Sequence, residues 1–349
     1  MREIWNDIEK WQQSAKSATI ATVVYVGGSS LRPAGSKMAI SSKGEISGSV
    51  TGGCVEGAVF EEAKSVVKTG TPRLVSYGVS NEQAWEVGLS CGGSVKIFIE
   101  SMATPPWKTI LPALKEAIDH NQAVALATVT SGTGLGNKML LRKDGSQVGD
   151  LGEPSLTNDV ASQITSNWQV RDPHEMTLQT ASETSTIFVE FILPPPRLII
   201  VGASHIAIPL VSLAKALDYH TIVLDARSAF ATRERFPHAD ELIVDWPAET
   251  IKKLSPDAST CVVCLSHDDK LDNPALMEAL KSDARYIGAL GSKVTHAKRL
   301  DALREEGASE DQLKRIHAPV GLKIGAKQPA EIALSIMAEI VASQHGFVA

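Results

Sequence analysis

The feature that most constrains the fold is a self-similarity. Gly35-Ser-Lys-Met38 returns as Gly136-Asn-Lys-Met139, each preceded by a β-rich apolar run at residues 18–26 and 123–129. Lys43-Gly-Glu-Ile-Ser-Gly48 returns as Asp144-Gly-Ser-Gln-Val-Gly149, at the same spacing from its Gly-x-Lys-Met. Residues 187–192 match 95–100 as a closing strand. The order strand, break, strand and glycine-containing turn, written twice, predicts two copies of one strand–hairpin–helix unit. The copies part company after the hairpin. The first reads Gly48-Ser-Val-Thr-Gly-Gly-Cys-Val-Glu-Gly57, and the second reads Gly149-Asp-Leu-Gly-Glu-Pro154. What both copies retain is expected to be scaffold, and what the first alone has is expected to be chemistry.

In the first copy, Val55, Val59, Phe60, Ala63, Val66 and Val67 recur at helical spacing. Cys54 therefore falls where the Gly52-Gly53 turn enters a helix. Free N–H groups and the positive end of the helix dipole favour an anion there, and the same field lowers a thiol's pKa. A second glycine-flanked thiol follows: Cys91, with Gly92 and Gly93, just ahead of the apolar run 95–99. Cys54 and Cys91 are the candidate catalytic thiols and the candidate soft-metal ligands. The plainer alternative is two small buried hydrophobes with glycines that shape turns. Cys261 and Cys264 form a C-x-x-C, but residues at that spacing on a strand face opposite sides, so they read as core.

After the stiff Pro194-Pro-Pro196 connector, the run Arg197-Leu-Ile-Ile-Val201 is continuously apolar beyond its first residue, as in a parallel strand buried on both faces. Gly202-Ala-Ser-His205 turns into a helix at 206–217, and the next strand, 221–224, ends at Asp225. A βαβ unit with an acid roughly twenty positions after its glycine is the order of a nucleotide-binding Rossmann half. The fingerprint G-x-G-x-x-G reads Gly202-x-Ser204-x-x-Ala207, so the fold is expected more firmly than NAD(P) binding. Arg227 is placed either to meet a phosphate or to stand as a loop charge. Further strands at 241–244, 260–265 and 286–290 alternate with helices. Ligands of such sheets bind at the carboxyl ends of strands. Those ends carry His205, Asp225, His267 with Asp268, and Gly291-Ser292-Lys293.

The fold class expected is α/β: a mixed α/β N-terminal domain with a degenerate internal repeat, then a Rossmann-like doubly wound parallel sheet. The boundaries are 1–192 (cysteine copy 1–104, degenerate copy 107–192), a linker at 193–196, and 197–349. A net charge of −6 over 349 residues argues against nucleic-acid binding. No run reaches the roughly eighteen apolar residues of a membrane span, and four cysteines in such a chain fit a reducing cytoplasm.

Taken together, the motifs resemble the XdhC/CoxI family of molybdenum-hydroxylase maturation factors. The N-terminal carriers are Gly27-Gly-Ser-Ser-x-Arg-Pro-x-Gly-x-Lys-Met38, Gly52-Gly-Cys-x-Glu-Gly57 and Leu89-x-Cys-Gly-Gly93. The C-terminal ones are Val201-Gly-Ala-Ser-His205, Asp225-Ala-Arg227, Phe236-Pro237, Ser266-His267-Asp268, Tyr286-Ile-Gly-x-x-Gly-Ser292 and Ala318-Pro-x-Gly-Leu-x-Ile-Gly-Ala326. The resemblance implies a cytoplasmic accessory factor that binds molybdenum cofactor, as molybdopterin or its cytosine dinucleotide. Such a factor protects the cofactor while it gains its terminal sulfur, then delivers it to apo-xanthine dehydrogenase or a related hydroxylase. A cysteine desulfurase is an implied partner, and Rossmann pairing across subunits would make a homodimer. Carried over by motif, Cys54 and Cys91 become cofactor or sulfur contacts. Gly28, Ser29, Arg32, Lys37, Gly52, Gly53, Glu56, Gly92 and Gly93 join them, with Arg32 and Lys37 offering cations to a pterin phosphate. Gly202, Ser204, His205, Asp225, Arg227, His267, Asp268, Gly291, Ser292 and Lys293 make the nucleotide or phosphate end. The family's G-A-G-H-x-G is Gly-Ala-Ser-His-Ile-Ala here, and residues 107–192 have no counterpart in shorter members. Two other classes stay open: an NAD(P)-dependent oxidoreductase with its own turnover, and a scaffold without chemistry.

Overall fold

The computed structural model describes residues 1–28, 32–53, 55–78, 93–179 and 184–347. The chain divides into two compact units, Met1–Pro194 and Pro195–Ala349.

The first unit is built twice over. Its first half runs α1 (Arg2–Gln13), β1 (Ala18–Gly27), β2 (Lys37–Ser41), β3 (Ile46–Gly48), α2 (Glu56–Thr69), β4 (Arg73–Tyr77) and β5 (Ser94–Ser101). The second runs α3 (Pro105–Asp119), β6 (Val124–Ser131), β7 (Lys138–Arg142), β8 (Gln147–Asp150), α4 (Pro154–Ser166), β9 (His174–Gln179) and β10 (Thr184–Ile192). The two antiparallel sheets have the same order, β3-β2-β1-β5-β4 and β8-β7-β6-β10-β9. Register fixes the equivalences. Thr22 lies opposite Lys37 and Phe98, and Thr128 lies opposite Lys138 and Phe188. Phe98 therefore matches Phe188 and Glu100 matches Glu190, so residues 95–100 correspond to 185–190 rather than to 187–192. A slip by an even number of residues keeps every side chain on its face, which is why alternation alone did not resolve it.

The same backbone constraint appears at the end of each hairpin. Gly48 and Gly149 adopt φ 75 and 83. A Cβ there would fall 2.4 Å from the Lys37 carbonyl oxygen and 2.3 Å from that of Lys138. Only glycine fits both demands. Each sheet buries one face under its own helix: Val59, Ala63 and Val66 of α2 over the first, Leu156, Val160 and Ile164 of α4 over the second. A third core joins the copies, where Trp5, Ile8 and Trp11 of α1 and Trp107, Ile110 and Leu114 of α3 meet Ile20, Leu126 and Leu140. α3 opens on two prolines, tolerated in a first turn whose N–H groups have no helical partner, and carries Pro112 within it.

The second unit alternates β11 (Arg197–Val201), α5 (Ala207–Ala216), β12 (His220–Leu224), β13 (Glu241–Ile243), α6 (Pro247–Leu254), β14 (Thr260–Cys264), α7 (Asp269–Leu280), β15 (Tyr286–Ala289), α8 (Lys293–Glu305), α9 (Glu310–Leu313), β16 (Ile316–His317) and α10 (Pro329–Gln344). All pairings are parallel, in the order β13-β12-β11-β14-β15-β16. This is the dinucleotide-fold order, with its switch point between β11 and β14. Helices cover both faces, so the middle strands are apolar once past their first residue or two. Cys261 packs into the core on one face and Cys264 into the core on the other. Burial pushes the Cys261 thiol up to about 12 and the Cys264 thiol well above its ordinary value, so both behave as small hydrophobes.

Candidate functional site

The glycine-rich turn between β3 and α2 was expected to offer free N–H groups to an anion. The chain supplies that anion itself. Glu56, the first residue of α2, folds its carboxylate back into the turn. Oε1 accepts from Ser49 Oγ at 2.6 Å, Thr51 N at 2.9 Å, Gly52 N at 2.9 Å and Val50 N at 3.3 Å. Oε2 accepts from Thr51 Oγ1 at 2.8 Å, Gly53 N at 2.8 Å and Val55 N at 3.2 Å. Burial alone would raise this carboxyl; the donors of Ser49 and Thr51 outweigh it and hold Glu56 at about 2. Gly52 and Gly53, both at positive φ, let the N–H groups converge. Gly53 and Val55, the two residues bonded to Cys54, are both among the donors. Cys54 itself lies outside the described residues, as do Ser29, Cys91 and Gly92. Gly28 is exposed and Gly93 is buried at the entry to β5.

The second copy ties down its turn with a threonine hydroxyl and an aspartate. Leu151 N donates to Thr157 Oγ1 at 3.1 Å, Thr157 Oγ1 donates to Glu153 O at 2.9 Å, and Gly152 N donates to Asp150 Oδ1 at 2.8 Å.

The two expected phosphate cations have other partners. Arg32 pairs with Glu3 at 2.7 Å. Lys37 is buried, 2% exposed, and its Nζ reaches Glu190 Oε1 at 2.7 Å and Thr22 Oγ1 at 2.9 Å. Its equivalent Lys138 reaches Glu100 Oε1 at 2.6 Å and Thr128 Oγ1 at 2.8 Å, with its ammonium 4.8 Å from the Trp107 ring centroid. Each lysine thus pairs with the glutamate of the other copy. Burial pushes the Glu100 carboxyl up and the Lys138 ammonium down, while their mutual attraction opposes both shifts. The ammonium of Lys37, bound to a buried carboxylate, is not available to a phosphate, which corrects the expectation drawn from sequence. Lys138, Glu100 and Glu190 were missed as partners, although the repeated Gly-x-Lys-Met was the signal that two equivalent lysines existed.

In the second unit, the strand ends gather as the fold requires. Gly202, at φ 99, has no room for a side chain: a Cβ would lie 2.5 Å from Ser266 N. Its close approach is therefore to the β14 loop. Asp225 is fully buried and accepts from Ala203 N at 2.8 Å and Arg227 N at 2.9 Å. The Arg227 side chain binds it twice, Nε at 2.9 Å and NH2 at 2.8 Å. Burial would raise its carboxyl, but these donors hold it below the usual carboxylate range. An acid so saturated has no lone pair to offer a ribose hydroxyl. Arg227 in turn lies 4.4 Å from the centroid of the Phe230 ring.

Other groups at the same edge stay open. Ser204 Oγ is buried with no hydrogen-bond partner, and His205, Ser292 and Lys293 are exposed. His267 is exposed at φ 59. Among the described residues, the other non-glycine residues at positive φ, Ala15, Asn121, Asp218 and Ser255, each stand close behind a helix, where that conformation is ordinary. His267 instead follows a strand, and a strained residue at a strand end marks a candidate site. Its neighbours hold it: Ser266 Oγ donates to Asp272 Oδ1 at 2.6 Å and accepts from Asp268 N at 3.1 Å, and Asp268 caps α7 by accepting from Lys270 N at 3.0 Å. Buried Arg299 stands 3.7 Å from Asp272 and donates to Leu290 O at 3.2 Å, just ahead of Gly291. Ser292 caps α8 by accepting from Thr295 N at 3.1 Å. Asp272 and Arg299, which brace these loops from inside, carried no motif to reveal them. Among the described residues no cluster of His, Cys, Asp and Glu has the arrangement of a metal site, and no helix is long and apolar enough to cross a membrane.

A duplicated sheet unit with a carboxylate-filled glycine turn, followed by a parallel sheet of dinucleotide-fold order, defines a two-unit α/β protein with a Rossmann-type second unit. A model of the XdhC and CoxI family matches residues 11–78, and a model of the XdhC Rossmann domain matches residues 198–340. The chain belongs to the XdhC and CoxI family. It is similar to a probable xanthine dehydrogenase subunit of Bacillus subtilis (strain 168), 29% identical over 331 residues that cover 94% of both chains. It is 27% identical over 329 residues to the molybdenum cofactor insertion chaperone PaoD of Escherichia coli (strain K12), covering 94% of this chain and 83% of that one. The crystal structure of a xanthine dehydrogenase from Bacillus halodurans matches it with a TM-score of 0.77 at 26% identity, over 98% of this chain and 95% of that chain.

Proposed function

We propose that this protein is a maturation factor that binds molybdenum cofactor, protects it, and delivers it in sulfurated form to an apo-hydroxylase of the xanthine dehydrogenase type. The observation that carries the reading is the likeness to the insertion chaperone PaoD along 94% of the chain. A likeness of that extent includes both units and both thiol-bearing segments. The asymmetry of the repeat supports it: Cys54 and Cys91 belong to the first copy alone. Soft thiolates suit the molybdenum–sulfur chemistry that the cofactor supplies when bound, and a thiol can relay sulfur from a cysteine desulfurase.

The groups at the strand ends fit an anionic or hydroxylated portion of such a cofactor. Ser204 Oγ is buried without a partner, and exposed His205, His267 and Lys293 add donors and positive charge. These residues would hold the phosphate end, in molybdopterin or in its cytosine dinucleotide. The strand order would equally suit NAD(P) in an oxidoreductase, but the saturated Asp225 argues for a ligand that does not need that acid. The protein is read as a cytoplasmic homodimer that acts on a partner enzyme without turnover of its own.

The test is activation of an apo-hydroxylase by wild-type protein, Cys54→Ala and Cys91→Ala, each with its unfolding midpoint measured. Loss of activation with the fold intact is expected for both variants. Normal activation by both would remove the thiols from the function.

A further inference from the structure

The turn at 49–55 shows more than an acidic residue near a helix start. Five backbone N–H groups, from Val50, Thr51, Gly52, Gly53 and Val55, and the hydroxyls of Ser49 and Thr51 all point at one carboxylate. Convergent N–H groups of this kind form an anion cradle, the arrangement that binds phosphate in other folds. Here both oxygens of Glu56 fill it, so the anion is built into the chain. The contacts reach from Ser49 to Val55, every described residue of the turn. Without the carboxylate the N–H groups of Val50, Thr51 and Gly53 would lose their acceptor, and those of Gly52 and Val55 would keep only a hydroxyl. Ser49 Oγ meets Gly52 N at 2.9 Å and Thr51 Oγ1 meets Val55 N at 3.3 Å, one hydroxyl for each end of the loop.

We infer that Glu56 is the positioning residue of the Cys54 turn: its carboxylate is the internal anion on which the loop is folded, and the cradle it fills is an anion site that opens only when Glu56 is removed. The consequence for function rests on the reading of Cys54 given above. The structural claim does not. A bound cofactor phosphate is accordingly held elsewhere than in this cradle, and the residues on either side of Cys54 in the chain, Gly53 and Val55, are both tied to the Glu56 carboxylate.

The experiment uses the full chain with formate, the smallest carboxylate, as the probe. Glu56→Ala empties the cradle, and Glu56→Gln keeps the volume but offers one acceptor oxygen and an NH2 group that cannot accept. Hydrogen exchange is followed in the peptide spanning 49–56, with the second copy's turn at 149–153 as internal control. Glu56→Ala is expected to speed exchange in 49–56 by about tenfold or more and to leave 149–153 unchanged. Formate should bind Glu56→Ala saturably, restore its protection and recover part of its hydroxylase activation, while having no effect on wild type or Glu56→Gln. The inference is overturned if exchange in 49–56 is the same in Glu56→Ala and wild type. It is equally overturned if protection is lost and formate fails to restore it, or if wild type binds formate as the variant does. Should exchange and rescue behave as expected while Cys54→Ala activates normally, Glu56 keeps its role and the thiol reading alone falls.

Discussion

The two halves of the first unit share a sheet order, a buried lysine, a buried glutamate and a crowded hairpin glycine, yet differ in the turn that follows that glycine. In the first half the Glu56 carboxylate gathers five N–H groups of the loop 49–55, four of them before Cys54 in the chain and one after it. In the second half a threonine hydroxyl and an aspartate tie down a shorter loop that enters its helix at a proline. The comparison separates two kinds of constraint within one fold. The shared features are those the paired sheets need, because each lysine is neutralised by the other copy's glutamate and neither copy is electrically complete alone. The turn is free of that requirement, since nothing in the second copy's scaffold was lost with it. Chemistry placed there can change without disturbing the frame.

The largest effect should come from breaking the shared charge set. Lys37→Ala and Lys138→Ala each leave a glutamate buried without its partner, and each is expected to cost about 3–5 kcal/mol in chemical denaturation. Similar losses for the two would confirm that the copies contribute symmetrically; a loss confined to Lys37→Ala would break the symmetry and return that residue to the functional site. Gly48→Ala and Gly149→Ala come next. Each forces a left-handed alanine against a carbonyl oxygen, at about 1–3 kcal/mol, again alike in both halves. A marked difference between them would mean that the hairpins are not equivalent. The smallest effect is specific to the first copy and depends on pH. Glu56 is held at about 2 against an ordinary 4.5. A depressed carboxyl stabilises fully above its unfolded value, and that contribution fades as pH falls from 4.5 toward 2. Exchange protection of 49–56 should decline over that window ahead of protection at 149–153; parallel decline of both turns would show that Glu56 adds nothing particular to its loop.

Much of this frame was legible in the residues. Repeated Gly-x-Lys-Met segments and strand-like runs gave the duplication, and the Pro-Pro-Pro break followed by an apolar run and Gly202 gave the parallel sheet. The illegible parts depend on contacts between residues far apart in the chain. Lys37 read as a cation for phosphate because its partner, Glu190, lies on the closing strand of the other copy. The period of two left the register of that strand open to an even slip. α3 was not assigned from the sequence; it opens on Pro105 and Pro106, contains Pro112, and is held by packing of Trp107, Ile110 and Leu114. Asp225 read as the acid of a nucleotide-binding unit since its spacing is right, but Arg227, only two positions on, saturates it. Glu56 was picked out by motif as a cofactor contact, and what the motif did not reveal is that its carboxylate accepts from the N–H groups of its own turn.

The central claim is that cofactor handling resides in the copy that kept its thiols. The direct measurement is molybdenum-cofactor binding by purified wild-type protein and by Cys54→Ala. Near-stoichiometric binding by wild type that weakens in the variant is the predicted result. Equal binding by both, or no binding by either, would contradict it.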